Sequence, residues 1–259
     1  MRPIIPALMP LLATTSPAAA LPVDLELVLA VDVSGSMDRG EQALQRRGYV
    51  EAFVHPEVTA AILSGPYGRI AATYVEWAGP GLQRVTVPWT LLETPEAAEG
   101  FAAGISEVPP VRYRGTSISA IVTFAAPLFD DNGFEGLRRV IDVSGDGPNN
   151  AGSPVTVTRD AAVASGIIIN GLPIQLSPGG PFGLGAGDLA AYYRDCVIGG
   201  PGAFVIPVTE EGQLLEAIRR KLILEIAGTS DAIVPVAATA TTSDCLVGER
   251  LRRVWEREP

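Results

Sequence analysis

Three short stretches set oxygen-bearing side chains where the backbone is able to bend. Val31-Asp32-Val33-Ser34-Gly35-Ser36-Met37 ends an apolar run with a carboxylate and two hydroxyls on alternate positions. Arg114-Gly115-Thr116-Ser117 offers a hydroxyl just before a helical pattern, and Val143-Ser144-Gly145-Asp146-Gly147 ends a second apolar run with another carboxylate. Asp32, Ser34, Ser36, Thr116 and Asp146 are all hard oxygen donors, with no His or Cys among them. Such a set suits Mg²⁺ first, with Mn²⁺ or Ca²⁺ as alternatives, and disfavours copper or zinc. Two aspartates balance a divalent charge and the hydroxyls add none, so the ion stays electrophilic. A carboxylate from outside could then complete its shell. Any one stretch alone is also what an ordinary helix cap looks like, so the weight rests on three of them in order.

They meet only if the fold brings them together. Apolar strand-like runs alternate with helical patterns from Leu25 to about Ala227, which predicts a doubly wound α/β domain with helices on both faces of a mostly parallel sheet. In such a sheet every strand-to-helix loop opens on one edge. Strands are expected over 25–31, 139–144, 167–174 and 203–208, and helices over 40–54, 95–105, 155–165, 188–195 and 210–226. A further helix carries Ile118, Ile121, Val122, Ala125 and Leu128 behind the Thr116-Ser117 cap. The runs 70–77 and 82–87, split by Gly79-Pro80-Gly81, read as a hairpin and supply one antiparallel edge strand.

The DxSxS of Asp32, Ser34 and Ser36, a later threonine before a helix, and an Asp-Gly after a strand resemble the von Willebrand factor A domain. The likeness covers about Leu25 to Ala227 in element order. Ser144 to Asn150 and Tyr192 to Val205 are similar to an exported bacterial subfamily of that domain. The resemblance implies a metal-ion-dependent adhesion site. Ser34 and Ser36 would ligate directly, Thr116 directly or through water, and Asp32 and Asp146 largely through water, leaving a position for the Asp or Glu of a protein partner. Ser117 and Ser119 lie close enough to Thr116 to compete for its role. Asn149 and Asn150 stand either at the rim of that site or in a plain Pro-Asn-Asn turn. Phe182, in a glycine-rich loop at the same edge, is a further rim candidate. Asp142, mid-strand and polar, has no place in the ligand set.

The chain has 259 residues, 47% hydrophobic, enough for one large domain. Its formal net charge is -10, and only Lys221 of its 19 cationic residues is a lysine, so no basic stripe exists for nucleic acid. On that charge, a partner offering a carboxylate would gain from basic neighbours around it. Residues 1–20 read as a signal peptide, with Arg2, an apolar run to about Ala13 and the small residues Ala18-Ala19-Ala20. The expected organisation is thus a leader over 1–20, the domain over 21–228, and an Ala/Thr-rich linker with a charged tail over 229–259. An exported, periplasmic or secreted protein with no membrane span in its mature part follows. In such a compartment Cys196 and Cys245 can close a disulfide; two buried thiols or a zinc site are the alternatives.

Rival functions lack parts. A haloacid-dehalogenase-like phosphatase would need a second Asp where Ser34 stands and a lysine near the cation. A serine hydrolase would need GxSxG, which is absent, and the single histidine, His55, precedes Pro56 in a capping position. There is no GxxxxGK[ST] for a P-loop, and Gly183, Gly185 and Gly187 are misplaced for a dinucleotide loop. A metal-dependent hydrolase at the same edge, and a scaffold with a purely structural metal, remain as alternatives to the binding module.

Overall fold

A computed structural model describes residues 19–176, 186–228 and 243–255. The sheet follows from strands that are buried on both faces. Strand β2 (Glu26–Asp32) is fully buried, and its neighbours β3 (Ile70–Trp77) and β6 (Arg139–Gly145) run parallel to it on either side. Strand β7 (Ile167–Pro173) continues the parallel array beyond β6. At the other edge β4 (Gln83–Leu92) pairs antiparallel with β3, giving the order β4-β3-β2-β6-β7. The expected single antiparallel edge strand is therefore present. A small parallel pair, β1 (Leu21–Val23) with β5 (Phe134–Gly136), was not anticipated, because three residues carry no period.

Alternation along β2 divides the core. Leu27, Leu29 and Val31 face one layer, where α1 (Arg39–Phe53), α2 (Pro56–Leu63), α3 (Pro95–Ser106) and α7 (Leu214–Ala227) pack with Tyr49, Phe53, Phe101, Ile218 and Leu222. Val28 and Ala30 face the other, under α4 (Ile118–Ala125), α5 (Val155–Ala164) and α6 (Ala186–Tyr192), with Ile121, Val143, Tyr192 and Tyr193. Asp32, at an even position, points toward this second layer.

Two local outcomes differ from the sequence reading. Residues 203–208 make only isolated parallel bridges, Val205 with Gly171 of β7 and Val208 with Ile174 just after it, and Pro207 lacks the N–H a regular ladder would need. The expected helix over 188–195 splits into α6 and a π-helical turn, Tyr193–Val197. Cys196 in that turn is disulfide-bonded to Cys245, with Cα atoms 5.5 Å apart, as expected. The bond leads into α8 (Val247–Trp255), the last described element. No helix among the described residues is long and apolar enough to cross a membrane. Residues 1–18 of the expected leader, Phe182 and most of the linker lie outside the described residues.

Candidate metal centre

The chain order reverses between β2 and β6: from β2 it passes to β3 and β4 on one side, then returns to β6 and β7 on the other. The loops leaving the carboxyl ends of β2 and β6 part there toward opposite faces, which is where doubly wound sheets bind ligands. Asp32 is the last residue of β2, and Asp146 immediately follows β6.

Hydrogen bonds link the two loops. Ser34 N–H donates to Asp32 Oδ1 (2.6 Å), Ser34 and Ser36 hydroxyls lie 2.8 Å apart, and Ser36 Oγ donates to Asp146 Oδ1 (2.6 Å). Four of the five proposed ligands thus form one connected cluster. The fifth, Thr116, is buried in a loop docked alongside: Tyr113 N–H donates to Val33 O (3.2 Å), and Ser117 N–H donates to Ala78 O (2.9 Å). Gly115 makes this turn at φ 84°, a conformation that favours glycine. Ser117 and Ser119 have other tasks. Ser117 caps α4 by accepting from Ala120 N–H and donates to Ala151 O (2.8 Å), while Ser119 Oγ lies within 3.4 Å of the same carbonyl.

The two carboxylates of the cluster lie close together in a buried setting. Asp32 is fully buried and its Oδ2 has no hydrogen bond. Burial, followed by the nearby Asp146 carboxylate, pushes the Asp32 carboxyl well above its ordinary range, against the opposing pull of the Ser34 N–H and hydroxyl and the Asp146 N–H. Burial also pushes Asp146 up to about 6, opposed by the Ser36 hydroxyl and reinforced by Glu41. Tyr193 was missed by sequence reasoning. Its phenol is buried without a hydrogen-bond partner and raised far above its ordinary range by burial, then by Asp32 and Asp146. A Cβ on Gly145 would stand 2.8 Å from Asp32 Oδ2 and 2.9 Å from Tyr193 Oη, so both atoms converge on that glycine. The π turn that carries Tyr193 disturbs helical phasing, leaving no periodic signal to read.

Asn149 and Asn150 lie beneath the rim rather than on it. Asn150 Oδ1 accepts from Thr116 N–H (3.0 Å) and its own N–H donates to Thr116 O (2.9 Å), clamping the threonine. Asn149 Oδ1 accepts from Ser119 N–H (2.9 Å), and its amide donates to Ser153 O (3.1 Å) and to Glu249 Oε1 of α8 (2.7 Å). With both side chains engaged internally, they position the Thr116 and Asp146 loops. Asp142 belongs elsewhere. It faces the opposite layer, where Lys221 Nζ lies 2.5 Å away and also contacts Glu225. His55 caps α2, its Nδ1 accepting from Glu57 N–H (3.3 Å).

Among the described residues no three His, Cys, Asp or Glu side chains gather to hold a metal. The set here is two carboxylates with hydroxyls, and the orphaned Asp32 oxygen fits a hard cation.

A family model described as "Protein of unknown function (DUF1194)" matches residues 22–230. No curated protein matches the sequence. Among solved structures, proximal thread matrix protein 1 from the mussel byssus is 14% identical over 81% of this chain and 49% of its own, with a TM-score of 0.57. That protein has also been solved with a zinc occupied MIDAS motif. The pilus adhesin SpaC from Lactobacillus rhamnosus GG is 14% identical over 80% of this chain and 31% of its own, TM-score 0.57. A von Willebrand factor type A protein from Catenulispora acidiphila is 14% identical over 79% and 43%, TM-score 0.52. The chain spans less than half the length of each. These likenesses establish a von Willebrand factor A-like fold.

Proposed function

The chain belongs to the DUF1194 family, and we propose that it is an exported, metal-ion-dependent protein-binding module. Asp32, Ser34, Ser36, Thr116 and Asp146 would hold a divalent cation, Mg²⁺ first, and the ion would take an Asp or Glu carboxylate from a protein partner. The observation that carries this reading is the pair Asp32 and Asp146: two carboxylates raised by burial, one with an orphaned oxygen, and no Lys or Arg in contact with either among the described residues. A cation supplied from solution resolves that arrangement. A binding role rather than a catalytic one is supported by where the general bases are. His55 caps α2 and contacts Arg219, and Lys221 is buried in the other layer. Export is supported by the leader-like residues 1–20 and by the disulfide, a bond of oxidising compartments.

The test is calorimetric titration of Mg²⁺, Mn²⁺ and Ca²⁺ into the protein, with Asp32→Ala and Ser34→Ala as controls. Saturable binding with at least one cation, lost in both variants, is expected. Equal heats in wild type and variants would place the ion elsewhere and end the reading.

A further inference from the structure

Beside the Ser34-Gly35 loop opens a cavity of about 470 Å³, walled by Arg39, Gln42, Arg46 and Arg112, with Ala43 and Val111 among its apolar lining. None of its described lining residues is acidic. Two walls are tied to the loop that carries the proposed ligands. The Gln42 amide donates to Ser34 O (3.3 Å), and the Arg112 guanidinium donates to Gly35 O. Cavity and cation site therefore share one piece of backbone.

The charge here opposes that of the whole chain, whose formal net charge is -10. Arg46 is bound to Glu76 (2.9 Å), but Arg84 takes the other oxygen of the same carboxylate (3.1 Å), so two guanidiniums share one anion. Arg39 and Arg112 are exposed, and neither has a carboxylate partner among the described residues. The nearest acids in the chain, Asp38 and Glu41, are engaged in the capping box of α1: Asp38 Oδ1 accepts from Gly40 N–H (2.6 Å) and Glu41 N–H (2.9 Å), while Glu41 Oε2 accepts from Asp38 N–H (2.8 Å). The described cavity wall thus presents three guanidiniums and no carboxylate, and guanidinium forks match a carboxylate in geometry as well as charge.

We infer that this cavity is a second carboxylate subsite, so that the partner of the cation site is an acidic segment, one carboxylate on the ion and another between Arg39 and Arg112. This rests on the proposed cation site and narrows its partner. Overall charge points to a partner with basic surroundings, whereas the cavity selects clustered Asp or Glu at the contact itself.

The test uses a fluorescein-labelled oligo-aspartate peptide, a matched peptide with a single aspartate, and an oligo-lysine control, read by anisotropy in Mg²⁺ and in EDTA. Oligo-aspartate should bind in Mg²⁺ more tightly than the single-aspartate peptide. Arg39→Ala with Arg112→Gln, whose amide keeps a donor for Gly35 O while losing the charge, should weaken it about tenfold or more, the order of one lost charge-assisted pair, while leaving the single-aspartate affinity and the calorimetric cation binding unchanged. Arg112→Lys, which keeps a charge and a donor for Gly35 O, guards against a folding artefact and should recover part of the loss. Cation binding intact with oligo-aspartate affinity equal in wild type and double variant would overturn the subsite alone. Absence of cation binding would overturn the cation reading, and the subsite would then stand only on EDTA-resistant oligo-aspartate binding lost in the double variant.

Discussion

Replacing Asp146 by Asn should stabilise the protein without metal and destabilise it relative to wild type with metal. The carboxyl sits at about 6 against an ordinary 3.8, chiefly through burial. At about 1.4 kcal/mol per pKa unit, keeping it ionised at neutral pH costs at most about 3 kcal/mol. Asn keeps an oxygen for the Ser36 hydroxyl and removes the charge, so the variant should gain about 1 to 3 kcal/mol in EDTA at pH 7.5. For a domain this size that is several degrees in Tm, at roughly 2 to 4 °C per kcal/mol. The sign follows from proton uptake. An acid with a raised folded pKa holds its proton longer when native, so its penalty is absent below about pH 4, grows as pH rises and is complete above about 6. The two proteins should therefore converge near pH 4. In Mg²⁺ at about 100 times its dissociation constant the wild type gains about 2.7 kcal/mol, and the variant little, reversing the order. Thermal unfolding followed by circular dichroism, in EDTA and in Mg²⁺ at both pH values, reads all of this. An Asn variant that is less stable in EDTA at pH 7.5, or that responds to Mg²⁺ like wild type, would refute the reasoning and leave Asp146 an ordinary hydrogen-bonded turn residue.

Other perturbations probe the frame around the site. Gly145→Ala should abolish cation binding in calorimetry while the protein stays folded, because its Cβ would press on Asp32 Oδ2 and the Tyr193 phenol; retained affinity would show that the pocket can yield. Cys196→Ser with Cys245→Ser opens a loop of 49 residues in sequence separation, and the loop-entropy model sets a ceiling of about 4 kcal/mol on the loss, measurable by urea unfolding; no change would mean that the tail contributes nothing to stability. Lys221→Met leaves Asp142 and Glu225 buried without their cation and should cost about 3 to 5 kcal/mol in urea unfolding. Glu225 is held at about 7 by burial and Asp142, against Lys221 and Asn170, so wild type should lose stability relative to Glu225→Gln as pH rises from about 4.5 through 7; parallel profiles would contradict that.

What the sequence made legible is what short-range chemistry dictates. A central parallel strand is buried on both faces, so Leu27 to Val31 reads as one apolar run and its end is marked by Asp32. The DxSxS loop and Asp146 were readable because each is a strand end with oxygen donors, and the Thr116 turn because it precedes a capped helix. Side chains whose work is done across long separations were not. Asn150 clamps Thr116 across 34 positions, and Asn149 reaches Glu249 across 100, so nothing local distinguishes them from the exposed asparagines of a turn. Tyr193 reaches the site from a π turn, and the arginine cavity is assembled from segments 39–46 and 110–112, which share no pattern. The acidic average of the chain concealed that cavity altogether.

Asp32 differs from the other buried carboxylates in what surrounds it. Among the described residues these are Asp24, Glu26, Glu76, Asp142 and Glu225. Asp24 accepts backbone N–H groups on both oxygens, from Tyr67 (2.9 Å) and Arg69 (3.2 Å). Glu26 accepts from Gly136 N–H (2.7 Å) and the Asn132 amide (2.5 Å). Glu76 holds Arg46 and Arg84, and Asp142 and Glu225 share Lys221, the only lysine in the chain. Asp24, Glu26 and Glu76 have donors on both oxygens, whereas the Asp142 oxygens and Glu225 Oε2 lack hydrogen bonds but belong to carboxylates in contact with Lys221. Asp32 has a donor on one oxygen, an orphan on the other, and a second carboxylate nearby. Asp32 and Asp142 come from adjacent strands and are equally buried, yet only the layer holding Asp142 supplies a lysine. The proposed cation would give Asp32, at the switch point where a ligand can reach it, the partner that the other buried carboxylates find within the fold.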